Sequence, residues 1–320
     1  MDGARGEARS KSRVMSPEAT TPGVESAWIG PPRPSVAGIW RGLVGVPAQL
    51  ARHRRMVQVS VLRDLRARFS GTVLGWGWPL LQPLVLFGVY AFVFTKLFGV
   101  RLPATPPGSE GLLGVYMFLG VLVWSSIAES LARGAQSISG NANLIAKVAF
   151  PAQLLPLNTA LSNLAMLGLG LAGFLVVSLL APLGVRPGPL LLWLPVLALA
   201  QLLFVWGLSL ALATLQVYLR DTAHMLGLAL TLGMFATPIF WVPSRELLPA
   251  AGPYLELVTS NPFHHLVQAW RLALMGDAPA VLFTDSFNTS LCIVLAWAGA
   301  SFVCGHALFT LGRPGFADEV

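Results

Sequence analysis

Six long apolar stretches lie between Leu74 and Leu311, and twelve of the 21 Lys and Arg residues fall before position 70. That distribution constrains the fold more than any motif does. A helix needs about 20 apolar residues to cross the hydrocarbon of a bilayer. Stretches near 75–98, 111–131, 153–181, 190–214, 225–242 and 288–311 meet or approach that length. The expected fold is therefore all-α, a polytopic membrane protein with six transmembrane helices. With 55% hydrophobic and only 11% charged residues, the chain has too little charge to cover a soluble domain of 320 residues. Span three exceeds the minimum, which permits tilt or a kink near Pro156.

A net charge of +7 would point to nucleic acid in a soluble protein, but here its placement reads as topology. Arg52, Arg54, Arg55, Arg63, Arg66 and Arg68 precede span one; Arg133 and Lys147 follow span two, and Arg220 follows span four. The alternate loops hold Lys96, Arg101, Arg186, Arg245 and Arg271. By the positive-inside rule both termini are expected to be cytoplasmic in a multi-pass protein, with the basic excess near anionic lipid. Residues 1–40, rich in Gly, Pro, Ser and charge, are expected to be a disordered cytoplasmic tail, leaving 41–320 as the membrane domain. No apolar core precedes the basic stretch, so no signal peptide is expected. Cys292 and Cys304 both fall in span six. They stand about 18 Å apart along a helix, too far to bridge, and read as small core residues.

Three segments are too polar or too broken to span. Residues 48–69 repeat Leu50, Val57, Val61, Leu65 and Phe69 at helical spacing, with arginines over much of the remaining surface. This predicts a basic amphipathic helix lying in the membrane interface, or a solvated one beside it. The loop 133–152 offers a short apolar face of Ile138, Leu144, Ile145 and Val148 before Pro151. The outer stretch 242–287, interrupted by prolines, predicts two short re-entrant or surface helices near 246–258 and 263–275, since non-helical backbone at membrane depth must be buried in protein or line a cavity.

Chemistry is sparse. No G-x-x-x-x-G-K-[ST] loop occurs, so an ATP site is not expected on this chain. No His/Cys grouping has metal spacing, and His264–His265 reads as a solvated or capping pair. Asp277 and Asp285 are thin support for a membrane-embedded enzyme. Glu129 sits at the inner end of span two, and intramembrane carboxylates for a proton relay are lacking. His306, deep in span six, reads as an interhelical hydrogen-bonding residue before a relay. Aromatic residues Phe87, Tyr90, Phe94 and Phe98 form a stripe on span one, with Trp76 and Trp78 at its inner end. They can stack on sugar rings along a glycan path, or serve as an interfacial belt and lipid-facing surface.

Read in order, these segments resemble a known family. Leu62–Phe69 (with Arg63, Asp64, Arg66 and Arg68), then Thr72–Gly75 and Trp78–Pro83, resemble the approach to the first span in type-2 ABC permeases that export O-antigen, capsular polysaccharide and teichoic acid. Asn141–Pro151, including Asn143, Lys147 and Phe150, is similar to that family's coupling loop. Tyr218–Asp221 and Thr237–Phe240 are similar to its second cytoplasmic turn and fifth span, and Asn261–Phe263 with Ala269–Arg271 and Gly276 to its outer re-entrant region. The resemblance covers about residues 60–315. It implies a homodimeric, non-enzymatic permease subunit exporting a lipid-linked polysaccharide or polyol-phosphate polymer. It further implies ATP and Mg on a separate nucleotide-binding subunit, engaged through Asn141, Asn143, Lys147, Phe150, Pro151, Arg220 and Asp221. A type-2 permease exporting a small lipid or drug is the alternative.

Overall fold

A computed structural model of the chain describes residues 35–93, 97, 111–141, 151–180, 185–244 and 252–319. Among the described residues there are only helices, short 3-10 turns and loops. The first helix, α1, runs Val36–Phe69, twelve residues longer at its start than the expected 48–69. Ser35 explains that start: its side chain accepts the Gly38 N–H at 3.2 Å, satisfying a donor that the helical ladder leaves open. One face of α1 is buried through Val46, Val57 and Leu65, while Arg52, Arg54, Arg55, Arg63 and Arg66 stay exposed.

Six further helices form the bundle: α2 (Trp78–Phe92), α3 (Leu112–Ala135), α4 (Leu154–Leu180), α5 (Leu194–Tyr218), α6 (Thr222–Ala236) and, after two short helices, α9 (Phe287–Gly312). The two short helices are α7 (Gly252–Thr259) and α8 (Pro262–Met275); a terminal turn, α10 (Phe316–Glu319), closes the chain. Four stretches are long and apolar enough to cross a membrane: Leu112–Ala135, Leu154–Leu180, Pro189–Tyr218 and Ala280–Gly315. They coincide with the expected spans two, three, four and six. Pro156 lies in the first turn of α4, where proline is tolerated.

Among the described residues, span one holds α2, and span five, expected over 225–242, stops as a helix at Ala236. Its stop has a local cause. Thr237 precedes Pro238, and the proline ring drives the preceding residue out of the helical region, here to ψ 131°. Fifteen residues rise only ~22 Å, less than the ~30 Å of a hydrocarbon core.

The core lies between α3, α4, α5, α8 and α9, with Tyr116, Phe118, Ile127, Phe174, Leu197 and Leu274 almost wholly enclosed. The tightest crossing joins α5 to α9. A Cβ on Gly305 would land on the Gly207 backbone, and one on Gly207 would land on the Ser301–Phe302 backbone; glycine alone permits this approach. Two expectations fail on α9. Cys292 and Cys304 face outward rather than into the core. His306 is buried, but among the described residues neither ring nitrogen has a hydrogen-bond partner, and the ring packs against Gly42 of α1.

The two ends of the bundle differ. The basic end gathers α1, the ends of α3, α5 and α9 and the starts of α4 and α6, joined by Arg133–Asp64, Gln153–Gln49 and Tyr218–Gly312 contacts. The opposite end gathers the start of α3, the turn after α6, α8 and the segment entering α9.

Candidate functional site

At the basic end, Asp64 and Arg68 stand one turn apart on α1, and Glu129 and Arg133 one turn apart on α3. The four interlock: Arg68 reaches Glu129 at 3.0 Å and Arg133 pairs with Asp64. Two positive and two negative charges neutralise each other. Burial pushes the Arg68 guanidinium below its ordinary pKa, with Glu129 pulling the other way. Its second nitrogen donates to Asn163 Oδ1 on α4 at 2.6 Å. From Asn163 the polar path continues: Ser126 on α3 donates to the Asn163 carbonyl at 3.2 Å, and Gln201 on α5 donates to Ser126 at 3.2 Å. Four helices are thus tied to one guanidinium. Arg68→Ala is expected to cost about 1.5–3 kcal/mol, since it removes a charge-assisted bond to a buried amide. Arg68→Lys should recover only part, lacking the fork that serves Glu129 and Asn163 together. Thermal unfolding of the purified chain measures both.

Two clefts flank this cluster. One of ≈ 370 Å³ lies between α2, α3 and α4, with Arg68, Glu129 and Asn163 on its polar side and Leu86, Leu122 and Met166 on its apolar side. A guanidinium beside an apolar wall suits an amphiphile. The other, ≈ 460 Å³, is lined by Arg63, Asp64, Arg133, Gln136, Asn141 and Asn158.

Of the residues expected to couple to a partner, Asn141 ends the 3-10 turn after α3, its side chain donating to the Ser137 carbonyl at 2.8 Å. Pro151 precedes α4, its carbonyl accepting from Leu154. Asn143, Lys147 and Phe150 lie outside the described residues. Arg220 and Asp221 form the exposed turn between α5 and α6. Asp221 occupies the cap position of α6 without capping it; Gln216 does so instead, accepting the Ala223 N–H at 2.7 Å and donating to the Arg220 carbonyl at 3.0 Å. The Asp221 carboxylate is therefore not consumed by its own helix.

On α2, Trp78 is exposed, while Phe87 and Tyr90 are half-buried. Phe87 sits edge-on to Phe118 at 5.2 Å and Tyr90 lies 6.1 Å from Phe240. The Trp76 side chain and Phe94 fall outside the described residues.

At the opposite end lies the residue sequence reading misplaced. Arg271, counted among loop cations, is 1% exposed on α8. Among the described residues no carboxylate meets it. Its guanidinium donates to the carbonyls of Tyr116 (2.9 Å), Pro238 (2.7 Å) and Ile239 (3.1 Å) and lies 3.5 Å over the Tyr116 ring. Burial brings its pKa down to about 10, so it remains charged at neutral pH. The available signal was its position, one arginine within the apolar run of 262–275. The His264–His265 pair is also buried rather than solvated, and Asn261 caps α8. Burial, then His265 and Arg271, hold His264 down at about 3; burial likewise lowers His265, against the pull of Asp285.

Apolar helices long enough to cross a bilayer, stitched by buried polar contacts at both ends, define a multi-pass membrane protein. The family model for the ABC-2 type transporter matches residues 55–275, from the arginine face of α1 to the end of α8. The chain belongs to the ABC-2 type transporter family. It is 30% identical over 285 residues to the O-antigen export system permease protein RfbA of Myxococcus xanthus, covering 87% of this chain and 100% of that protein. It is 27% identical over 224 residues to an O-antigen export system permease protein RfbA of Klebsiella pneumoniae, covering 69% of this chain and 80% of the relative. A second Klebsiella pneumoniae protein of that name matches to the same extent.

Proposed function

We propose that this chain is the permease subunit of an ATP-driven exporter that moves a lipid-linked polysaccharide or polyol-phosphate polymer outward across the cytoplasmic membrane. The likeness to an O-antigen export permease over that relative's whole length carries this reading. The permease works as a homodimer with six spans per chain, both termini cytoplasmic and the basic end facing the cytoplasm. ATP and Mg reside on a separate nucleotide-binding subunit. In this arrangement α1 lies in the inner interface, and α7 and α8 form the outer re-entrant pair.

Nucleotide-driven closure pushes on the loop from Asn141 through Asn143, Lys147 and Phe150 to Pro151, and on the Arg220–Asp221 turn. The push shifts a two-state permease only as far as the partner binds the two states with different affinity. The ion cluster passes it on, because Asp64 and Arg68 bind α1 to the same α3 that leads into the loop. The amphiphilic cleft beside Arg68 suits a lipid-linked substrate, and Trp76, Trp78, Phe87, Tyr90 and Phe94 contribute an aromatic wall to the glycan path.

The test is a deletion strain complemented with wild type or with Arg220→Asp/Asp221→Arg plus Pro151→Ala, with lipid-linked glycan measured on each side of the membrane. Wild type should clear internal polymer, and the variant should trap it. Export that survives in the variant while partner binding is unchanged removes the coupling assignment. Phe87→Leu/Tyr90→Leu/Phe94→Leu is expected to slow glycan export more than efflux of an apolar drug; the reverse order favours a small-molecule exporter.

A further inference from the structure

Beside the turn that starts α8, three potential ligands converge: one atom each from His264, His265 and Asp285 lies within 4.8 Å of the others. We propose that these residues bind a divalent transition-metal cation of the Zn²⁺ class. The reasoning starts from protons. The Thr284 hydroxyl oxygen lies 2.9 Å from His264 Nε2, 2.8 Å from Gln268 Oε1 and 2.8 Å from Asp285 Oδ2. The hydroxyl brings one proton, and the amide oxygen and ionised carboxylate bring none. Even with His264 Nε2–H donating, one acceptor faces the hydroxyl oxygen without a proton. Gln268 has no donor to spare for it, because its amide nitrogen already serves the Asp285 carbonyl (3.2 Å) and Ser290 Oγ (3.1 Å).

His265 repeats the deficit. The residue is 4% exposed, and among the described residues its Nδ1 has no hydrogen-bond partner, yet stands 3.9 Å from Asp285 Oδ2. That distance is too long for a hydrogen bond. A buried imidazole nitrogen thus faces a carboxylate oxygen at the cleft wall across a gap too wide for a hydrogen bond, and a cation bound by both would bridge it.

Two imidazole nitrogens with one carboxylate select Zn²⁺ or a similar ion over Mg²⁺ or Ca²⁺, which prefer all-oxygen shells. Tetrahedral zinc bonds of about 2.0–2.1 Å put ligand atoms about 3.3 Å apart, so binding draws the three side chains inward. Access is open. Asp285 and Thr284 line a cleft of ≈ 490 Å³ that also includes Glu256 and Thr259, leaving solvent or a substrate group for the fourth position. Arg271 lies two turns along α8 and opposes the cation; its charge is turned instead onto three carbonyls. A bound ion would clasp the start of α8 to the segment entering α9.

The experiment uses the full chain, untagged, stripped with chelator and purified in detergent, with Co²⁺ as the optical probe and Zn²⁺ as competitor. One Co²⁺ per chain with visible ligand-field bands, displaced by Zn²⁺, is expected. Asp285→Asn and His265→Ala should each weaken Co²⁺ binding at least about tenfold, the scale on which even outer-shell changes act. Asp277→Asn, one loop away, should leave it unchanged. Absence of bands in the wild type, or unchanged affinity in Asp285→Asn, overturns the site. Should His265→Ala fail to fold, the near-isosteric Asp285→Asn decides, together with a Zn²⁺-dependent rise in melting temperature that wild type shows and Asp285→Asn lacks.

Discussion

Replacing Arg271 with Leu is expected to lower the unfolding free energy by about 3–5 kcal/mol, combining lost charged hydrogen bonds with a poorly filled void. The guanidinium is the joint of the opposite end: one side chain on α8 holds the first turns of α3 and the turn that follows α6. The Pro238 and Ile239 carbonyls lie outside any helical ladder, so removing their donor leaves buried acceptors unpaired. Stacking on Tyr116 adds a cation–π term. Gly120 sits under the guanidinium so closely that a Cβ there would overlap it; Gly120→Ala should therefore reproduce part of the loss without touching the charge. Arg271→Lys keeps the cation but cannot reach three carbonyls and the ring at once, and should fall between wild type and Leu. Thermal unfolding in detergent ranks the four proteins. A Lys variant as stable as wild type would show that the charge, not the fork, is what this end requires.

Gly305→Ala is the second large effect, with an expected loss toward the upper end of the ~1–3 kcal/mol typical of overpacking. A single methyl group suffices because what it meets is the Gly207 backbone, which has no rotamer to yield. Gly305→Leu is expected to prevent the α5–α9 crossing altogether, read as loss of the monodisperse folded species. Gly299→Ala is the matched control. It lies on the same helix with nothing near its Cβ, so it should be neutral or gain slightly from helix propensity. Equal losses at 299 and 305 would refute the close-approach explanation.

The membrane character, the four long spans and the paired short helices near 252–275 were legible in the sequence because hydropathy and proline placement act within one helix length. The family was legible too, since its motifs are short and ordered. The early stop of α6 was written in Thr237–Pro238, a local signal overridden in the reading by the apolar residues that follow. Misreading arose where a residue's surroundings come from other helices. Arg271 looked like one more loop cation, and His264–His265 like a solvated pair, because hydropathy records neither a carbonyl from α3 nor a carboxylate from the segment before α9. Cys292 and Cys304 looked like core because an apolar span gives no sign of which face turns toward neighbours.

Composition and local order alone therefore determined that this chain is a bundle of membrane helices with one strongly basic end, since the bilayer enforces helix length and charge asymmetry independently of packing. Only the tertiary structure decided which polar groups meet. Asp64, Arg68, Glu129, Arg133 and Asn163 come from three helices as much as 99 residues apart, and the arginine clasp and the histidine cluster likewise draw on separate segments. In a low-dielectric interior each such group needs a partner, and which partner it finds depends on how the helices cross.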